Sequence, residues 1–379
     1  SSAAGISAAK SARATDPDCT IEILAREAHL PYYRPLLSEY IGDDGVETRS
    51  GFLLHPETWY AEQQITLHTG VEAVAISPAE RTVTDAHGGL HPYDRLIIAT
   101  GADPFVPIKG ALEHDNVFVV RSLDDARQVY AAGSEVESVA VVGGGLLGLE
   151  AAWSLRKRGL KVTILELADR LLPLQLDEEG SALLERAVAA QGIEVMTGVA
   201  TEAIDDGGVV RLKGRDPVTA QMVLVCIGAI PNVALAREAG LEVERGIVVD
   251  ETMRTSDPAI YACGDVAQYM RATPLWMRAV KQGTVAGANA AGGDASFANQ
   301  LYPAALDAFG LKVLSHGAVT GEGVTAWSSK TGDKVRKLFF HDENTVGGIL
   351  INDPKNTMKV MNAVRDSIER ATGITLFEE

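Results

Sequence analysis

Short apolar runs recur along the chain, separated by segments in which apolar and polar residues mix with helical spacing. Continuous apolar runs are typical of strands that are buried on both faces of a parallel sheet. Their alternation with helical segments predicts an α/β chain. The predicted helices cover residues 6–14, 149–155 and 178–190, and the predicted strands cover residues 20–24, 65–68, 73–76, 82–84, 96–99, 138–142, 161–165, 193–196 and 222–227.

The alternation occurs in two units, and a different pattern follows them. We predict that residues 1–105 and 232–298 are two parts of one dinucleotide-binding domain, and that residues 106–231 form a second. Residues 299–379 are predicted to form a small C-terminal α/β domain. Its strand-like runs and final helix fall at residues 311–314, 337–340, 348–351 and 355–370.

A glycine-rich loop joins one apolar strand to the helix that follows it. Gly143 permits a tight turn, Gly145 lets the backbone approach a pyrophosphate, and Gly148 lets the helix pack closely on the strand. The first N–H groups of the helix, including that of Leu147, face the phosphates. Glu166 ends the next strand, where a carboxylate bonds a ribose hydroxyl and repels a 2′-phosphate. The loop therefore predicts a site for NADH rather than NADPH, although Glu166 taken alone is also consistent with a solvated strand end.

The N-terminal residues have the pattern of a second loop of this kind. Ser2, Ala4 and Gly5 precede the first helical segment as the last part of such a loop does. The motif needs a preceding strand and a first glycine, so we expect about ten further residues before Ser1. Two such loops in one chain predict two bound dinucleotides, a flavin and a nicotinamide, and therefore electron transfer.

Composition narrows the class of protein. The formal charge of −17 argues against nucleic-acid binding and gives no attraction to an anionic membrane. No apolar run approaches the length of a membrane span. Cys19, Cys226 and Cys263 are widely separated and form no metal-binding pattern, which fits a reducing cytoplasm and predicts three small buried side chains.

Three further glycine motifs follow apolar strands. Thr100 and Gly101 end one strand, Gly228 ends another, and Gly264 and Asp265 end a third. A glycine at such a place allows close approach of the backbone, and the aspartate can bond a ribitol hydroxyl. An apolar strand that ends in Gly-Asp is a common turn by itself. Together with the two loops, it indicates a flavin site.

In this order the motifs resemble the two-dinucleotide flavoprotein reductases of the pyridine nucleotide–disulfide oxidoreductase superfamily. The matching segments are residues 2–5, 99–101, 143–150, 228–232 and 262–265, while residues 33–38 and 275–283 resemble the rubredoxin, ferredoxin and nitrite reductase branch. The resemblance implies a glutathione-reductase-like fold with two Rossmann-like domains, one for FAD and one for NAD. It also implies that the C-terminal domain helps to form a homodimer or the acceptor face.

The resemblance further implies which residues lie at the cofactors. It assigns FAD contacts to Glu27, Arg34, Pro35 and Ser38, and it places Trp276 where a helix directs its positive N-terminus at the flavin. Trp276 is equally well explained as a core aromatic. Glu150 is implied to face the contact between nicotinamide and flavin, where it is the candidate catalytic residue. Its alternative is a carboxylate that only benefits from the helix dipole.

The chain departs from the superfamily where the disulfide reductases carry their redox cysteines. Residues 34–39 contain no thiol, whereas dithiol and peroxidase chemistry both need one beside the flavin. Electrons must therefore leave the flavin directly. A lysine often occupies the position of Glu39 in the resembling ferredoxin reductases, so the carboxylate reverses the local charge.

The function that follows from the resemblance is an FAD-dependent NADH oxidoreductase that passes electrons to rubredoxin, ferredoxin or a linked metal centre. The alternatives are an electron-transfer subunit of a larger redox complex, an NADH oxidase, and a flavin-bearing sensing module. An acidic carrier would need a local basic patch on this acidic chain. By charge alone, Arg121, Arg127 and Lys281 are candidates for that patch.

Overall fold

A computed structural model describes residues 2–270, 275–298 and 300–377. Its first unit contains three pairs of parallel strands, of which two include the predicted strands. Ile21–Ala25 pairs with Ile65–Thr69, and Leu96–Ile98 pairs with Ile260–Ala262. The unit also contains the helices Ala3–Thr15, Leu37–Tyr40, Glu57–Glu62, Ala234–Glu238 and Trp276–Ala290, and the strands Ala73–Ser77, Thr82–Asp85, Leu90–Pro92, Ala102–Pro104, Ala229–Pro231, Ile247–Val248 and Ala267–Gln268.

The first and last helices of this unit pack closely because small residues face each other. A Cβ atom on Gly283 would lie 2.2 Å from the carbonyl oxygen of Ala4, and one on Gly287 would lie 2.0 Å from that of Ala8. Only glycine permits this approach. The packing brings the N-terminal helix, with its free N–H groups, beside the strand that ends at Ala262.

The second unit is a five-stranded parallel sheet. The strand Ser138–Val142 is central, and its Val141 pairs with Ile164 on one side and Leu224 on the other. All three side chains are fully buried, as the continuous apolar runs predict. The remaining strands and helices of this unit are Val117–Phe118, Lys161–Leu165, Glu194–Met196, Met222–Val225, Leu123–Ala132, Leu146–Lys157 and Glu178–Ala190, with an antiparallel sheet of Thr201–Asp205, Val209–Leu212 and Val218–Thr219.

The C-terminal part is a five-stranded antiparallel sheet, in the spatial order Ala304–Ala308, Leu311–Gly317, Asn344–Ile351, Lys334–His341 and Val324–Thr331. The two edge strands were not predicted, and the last helical segment is divided into Thr357–Arg365 and Arg370–Thr375. Trp153 of the second unit packs on Phe309, with 5.3 Å between the ring centroids. No helix within the described residues is long and apolar enough to cross a membrane.

Candidate functional site

The loop at residues 143–148 has the geometry that its three glycines predict. Gly143 has φ +115°, and a Cβ atom there would lie 2.4 Å from the carbonyl oxygen of Cys226. A Cβ atom on Gly148 would lie 2.0 Å from the carbonyl oxygen of Gly143. Gly145 is the N-cap of the helix Leu146–Lys157, and open space surrounds its missing side chain. Leu147 is exposed in the first turn. The loop is therefore closed on the protein side and open where a phosphate would approach.

Glu166 lies against this loop. Its Oε2 accepts the N–H of Gly144 at 2.5 Å, and its Oε1 accepts the N–H of Ala168 at 2.7 Å. The carboxylate therefore fixes the backbone of the loop and lies beside the space that a ribose would occupy. This position is consistent with the predicted role in binding ribose and rejecting a 2′-phosphate.

Glu150 connects the loop helix to the first unit. The Ser38 hydroxyl lies 2.8 Å from Oε2 of Glu150 and 3.2 Å from the carbonyl oxygen of Pro35. Ser38 is buried and Glu150 is half-buried. Burial, aided by the nearby charge of Glu39, raises the pKa of Glu150 above its usual range despite the Ser38 hydrogen bond. The segment of Ser38, predicted to bind FAD, thus contacts the carboxyl group of Glu150 on the helix of the predicted NADH loop.

Arg34 and Glu27 form a half-buried ion pair. Arg34 Nη2 donates to Glu27 Oε1 at 2.6 Å, and the Tyr32 hydroxyl donates to Glu27 Oε2 at 2.6 Å. Burial alone would raise the pKa of Glu27, but Arg34 and Tyr32 outweigh it and hold that pKa below its usual range. Arg34 also donates to the carbonyl oxygen of Arg121 and, at 3.4 Å, to the Ser2 hydroxyl. The arginine therefore lies close to the start of the N-terminal helix.

The Gly-Asp motif lies at the same place. Gly264 has φ +80°, and a Cβ atom there would lie 2.8 Å from Cβ of Ala4. Arg121 Nη2 donates to Asp265 Oδ2 at 2.9 Å. Gly5, on the same helix as Ala4, faces Ala99. The two motifs, 260 residues apart in the chain, form one surface.

The remaining glycine motifs join the two units. Asn232 donates its N–H to the carbonyl oxygen of Gly101 at 2.9 Å, and the Thr100 hydroxyl donates to the carbonyl oxygen of Asn232 at 2.9 Å. Gly228, with φ +112°, accepts the N–H of Phe105 at 2.9 Å. These bonds bring the ends of two predicted strands together at the junction.

Trp276 begins the helix Trp276–Ala290 and packs edge-to-face on Tyr33, with 4.7 Å between the ring centroids. Its side chain is half-buried. Farther along this helix, Gln282 is only 1% exposed. Its Oε1 accepts the N–H of Gly264 at 3.0 Å, while its Nε2 is buried without a hydrogen-bond partner among the described residues.

These residues fit a flavin dinucleotide. A pyrophosphate needs cations and N–H donors, which Arg34, Arg121 and the start of the N-terminal helix provide. A buried amide without a partner is unfavourable, so the unpaired nitrogen of Gln282 beside Gly264 indicates a missing acceptor at this surface. Asp265 and Glu27 provide carboxylates for sugar hydroxyls.

No cysteine lies at the contact between Ser38 and Glu150. Burial raises the pKa of Cys226 and of Cys263 to about 12, so both remain neutral thiols. Cys19 is only half-buried, contrary to the prediction of a buried side chain, and its carbonyl oxygen and Sγ accept hydrogen bonds from Arg13. No group of three or more His, Cys, Asp and Glu side chains within the described residues could hold a metal ion.

Sequence reasoning missed the roles of Tyr32 and Gln282 and did not predict the partners of two arginines. Arg121 and Arg127 were candidates for a basic docking patch, but Arg121 binds Asp265 and Arg127 binds Glu47 at 2.6 Å. Each arginine therefore has a carboxylate partner within the chain. The signal for Arg121 would have been its position just before the Ser122 capping box of the helix Leu123–Ala132, which fixes the backbone there.

The model of the pyridine nucleotide-disulphide oxidoreductase family matches residues 1–283, and that of the rubredoxin NAD+ reductase C-terminal domain matches residues 303–368. An NADH oxidase of Methanocaldococcus jannaschii is 31% identical over 354 residues, 87% of this chain and 76% of that protein. An NADH-rubredoxin oxidoreductase of Clostridium acetobutylicum is 30% identical over 367 residues, 96% of this chain and 92% of that protein. A nitrite reductase of Bacillus subtilis is 36% identical over 254 residues, but these are 66% of this chain and only 31% of that protein.

The structure of a ferredoxin reductase from Rhodopseudomonas palustris has a TM-score of 0.88 at 26% identity, over 98% of this chain and 95% of that one. This likeness confirms the predicted fold class of two Rossmann-like units with a C-terminal domain. The family match covers both glycine-rich loops and the Gly-Asp motif. This chain therefore belongs to the pyridine nucleotide-disulphide oxidoreductase family.

Proposed function

We propose that this chain is an FAD-dependent NADH oxidoreductase that passes electrons directly to a small iron-containing carrier such as rubredoxin or ferredoxin. The contact between Ser38 and Glu150 carries the proposal. It joins the predicted flavin segment to the predicted NADH loop through a hydroxyl and a carboxyl group, where thiol-dependent relatives need cysteine. When bound, FAD supplies the conversion between two-electron and one-electron transfer.

The residues of the chain bind and orient the two cofactors. We assign FAD to the surface of Ala4, Gly5, Glu27, Arg34, Pro35, Ser38, Thr100, Gly101, Gly228, Gly264, Asp265 and Trp276. We assign NADH to the loop of Gly143, Gly145, Leu147 and Gly148 with Glu166. Holding two reactants in fixed contact can lower a barrier by roughly 7–11 kcal/mol, so positioning is the main contribution of the protein.

The domain assignment follows from the same sites. Residues 1–105 and 232–298 form the FAD domain, residues 106–231 form the NAD domain, and residues 299–379 form the acceptor or dimerisation domain. Support for an acceptor role comes from the match of residues 303–368 to the C-terminal domain of rubredoxin NAD+ reductases. The wide spacing of the three cysteines supports a cytoplasmic location.

An anaerobic titration tests the hydride step. Stoichiometric NADH should bleach the bound oxidised flavin, and oxidised rubredoxin or ferredoxin should then restore its colour. A flavin that NADH cannot reduce would contradict the proposal. Rapid NADH consumption in air without a carrier would instead favour an NADH oxidase, the activity named for the archaeal relative. Copurifying redox subunits would favour a component of a larger complex.

A Cys19→Ser variant is the matched control for thiol chemistry. Cys19 is the only cysteine of the three that is not buried. We expect the variant to reduce a carrier at the rate of the unmodified protein. Loss of carrier reduction with flavin bleaching intact would show that a thiol carries the electrons, and the direct route would be wrong.

A further inference from the structure

The carboxyl group of Glu150 is subject to opposing influences whose sum favours the neutral acid. Burial and the nearby negative charge of Glu39 favour the neutral acid, whereas the Ser38 hydroxyl at 2.8 Å favours the carboxylate. A carboxyl group under such opposing influences can gain or lose a proton in response to a new charge at short range.

The other charges near Glu150 form a short chain on the surface. Arg49 Nη1 lies 2.8 Å from Glu39 Oε2, and Arg49 Nη2 lies 2.6 Å from Asp43 Oδ2. Among the described residues, Glu39 is the charged group that acts on Glu150, and Arg49 acts on it through Glu39. Arg49 therefore limits how strongly Glu39 opposes a negative charge on Glu150.

The two nicotinamide forms differ in charge. The ring of NAD+ is a cation, and the ring of NADH is neutral. A carboxylate beside the ring attracts the cation, whereas a neutral carboxylic acid does not. Glu150 lies in the second turn of the loop helix, at the contact with the flavin segment, where the proposed function places the ring.

We propose that Glu150 selects between the two nicotinamide forms by exchanging a proton with solvent: it is neutral when NADH occupies the site and ionised when NAD+ does. Glu39 and Arg49 are positioning residues that set the pH at which Glu150 exchanges its proton. The inference rests on the proposed function. It implies that acid favours release of NAD+, because a protonated Glu150 no longer attracts the cationic ring.

The proton exchange is measurable because proton binding and NAD+ binding are coupled. If NAD+ prefers ionised Glu150, its binding releases a proton, and its affinity rises with pH by up to about tenfold per unit. NADH binding should release fewer protons. The pyrophosphates and adenine are the same in both ligands, so their contributions cancel in the difference.

The experiment is calorimetry of the FAD-containing protein with NAD+ in two buffers of different ionisation enthalpy, across pH values on both sides of neutrality. NAD+ and NADH are both titrated anaerobically into protein whose flavin has been reduced, so that the charge of the flavin is the same for the two ligands. The excess proton release for NAD+ should be up to one per site and should vanish in Glu150→Gln. The matched control is Glu62→Gln, which removes an exposed carboxylate from the helix Glu57–Glu62. This control should behave as the unmodified protein does.

Two charge variants test the positioning residues. Glu39→Gln should move the proton release to lower pH, because it removes the charge that opposes ionisation of Glu150. Arg49→Gln should move the release to higher pH, because Glu39 then opposes ionisation more strongly. A purely structural role for either residue would change stability without moving the pH of release.

The outcomes separate the inference from the function on which it rests. Equal proton release for NAD+ and NADH, with the flavin still reduced by NADH, would overturn the inference alone. An excess release that persists in Glu150→Gln would overturn it as well, because another group would be the source. Failure of NADH to bind or to reduce the flavin would overturn the proposed function.

Discussion

Two alanine substitutions in the same glycine loop should separate an effect on NAD+ binding alone from an effect on both stability and binding. At Gly148 a Cβ atom would lie 2.0 Å from the carbonyl oxygen of Gly143, whereas ordinary contact begins at 3.4 Å. At Gly145 nothing lies within 4 Å of the added atom. Gly148→Ala therefore disturbs the protein itself, and Gly145→Ala fills the space proposed for the pyrophosphate.

The structure sets the magnitudes. The atom that Gly148→Ala approaches belongs to the backbone, so it cannot move away by rotation of a side chain. Overpacking costs about 1–3 kcal/mol, and the better helix propensity of alanine offsets up to about 1 kcal/mol. We expect a net loss of about 2 kcal/mol. Gly145 has φ −80° and ψ −179°, which alanine adopts without strain. Alanine caps a helix less well than glycine, which lowers the free energy of unfolding. Alanine also reduces the conformational entropy of the unfolded chain, which raises the free energy of unfolding by a similar amount, so the stability should hardly change.

Thermal unfolding and NAD+ affinity, both measured on FAD-containing protein, test this reasoning. Gly145→Ala should keep the unfolding temperature and lose at least about tenfold in affinity, or roughly 1.4 kcal/mol. Gly148→Ala should lower both the unfolding temperature and the NAD+ affinity. Unchanged affinity in Gly145→Ala would refute the placement of the pyrophosphate against that residue. Unchanged stability in Gly148→Ala would show that the loop relaxes in a way its close contacts do not indicate.

Three further outcomes follow from charges in the fold. The side chain of Lys337 is 5% exposed, and its ion pair with Asp177, at 2.5 Å, joins the C-terminal sheet to the second unit. Because Lys337→Met breaks this buried pair, it should lower the free energy of unfolding, measured by chemical denaturation, by about 2–3 kcal/mol. Lys312 forms an exposed pair with Asp307, so Lys312→Met should lower the free energy of unfolding by less than about 1 kcal/mol. Equal losses in Lys337→Met and Lys312→Met would contradict this argument. Hydrogen bonds to Asp85 and Glu22 raise the pKa of His91. Protonated His91 should therefore stabilise the folded chain fully below the unfolded pKa of about 6.5, and this stabilisation should fade as the pH rises through the higher folded pKa. Chemical denaturation of the unmodified protein and of His91→Gln at several pH values should show a difference in the free energy of unfolding that is largest at low pH. Carrier reduction should fall by less than about threefold between roughly 0.05 and 0.5 M salt, measured as kcat/KM, and a steep fall would reveal a basic docking patch.

Apolar periodicity located the central elements because burial on both faces leaves a continuous signal. The predicted strands at 138–142 and 161–165 agree with the structure, and the helix at 178–190 also agrees. The edge strands Ala304–Ala308 and Val324–Thr331 were missed. The second of these has no fully buried residue, so its composition does not differ from that of a loop.

Glycine motifs predicted the loop geometry because each motif is local in sequence. The contacts that join them are not local. Ser38 and Glu150 are 112 residues apart, and Arg121 and Asp265 are 144 apart. No periodicity indicates which arginine will meet which carboxylate. For that reason Arg121 was a candidate for the docking surface, and its partner Asp265 was not predicted.

The same pairing bears on the proposed transfer of electrons from this acidic chain to an acidic carrier. Its arginines largely balance internal groups: Arg127 binds Glu47, and Arg158 donates to the carbonyl oxygens of Ile41 and Tyr130. Cations used in this way add little to the field that a partner meets. Beside the Tyr33 and Trp276 pair, the exposed apolar side chain is Met277. If the proposed carrier docks here, Tyr33 and Met277 offer it apolar contact and Lys281 is an exposed cation nearby, so the salt dependence measures how much that charge contributes.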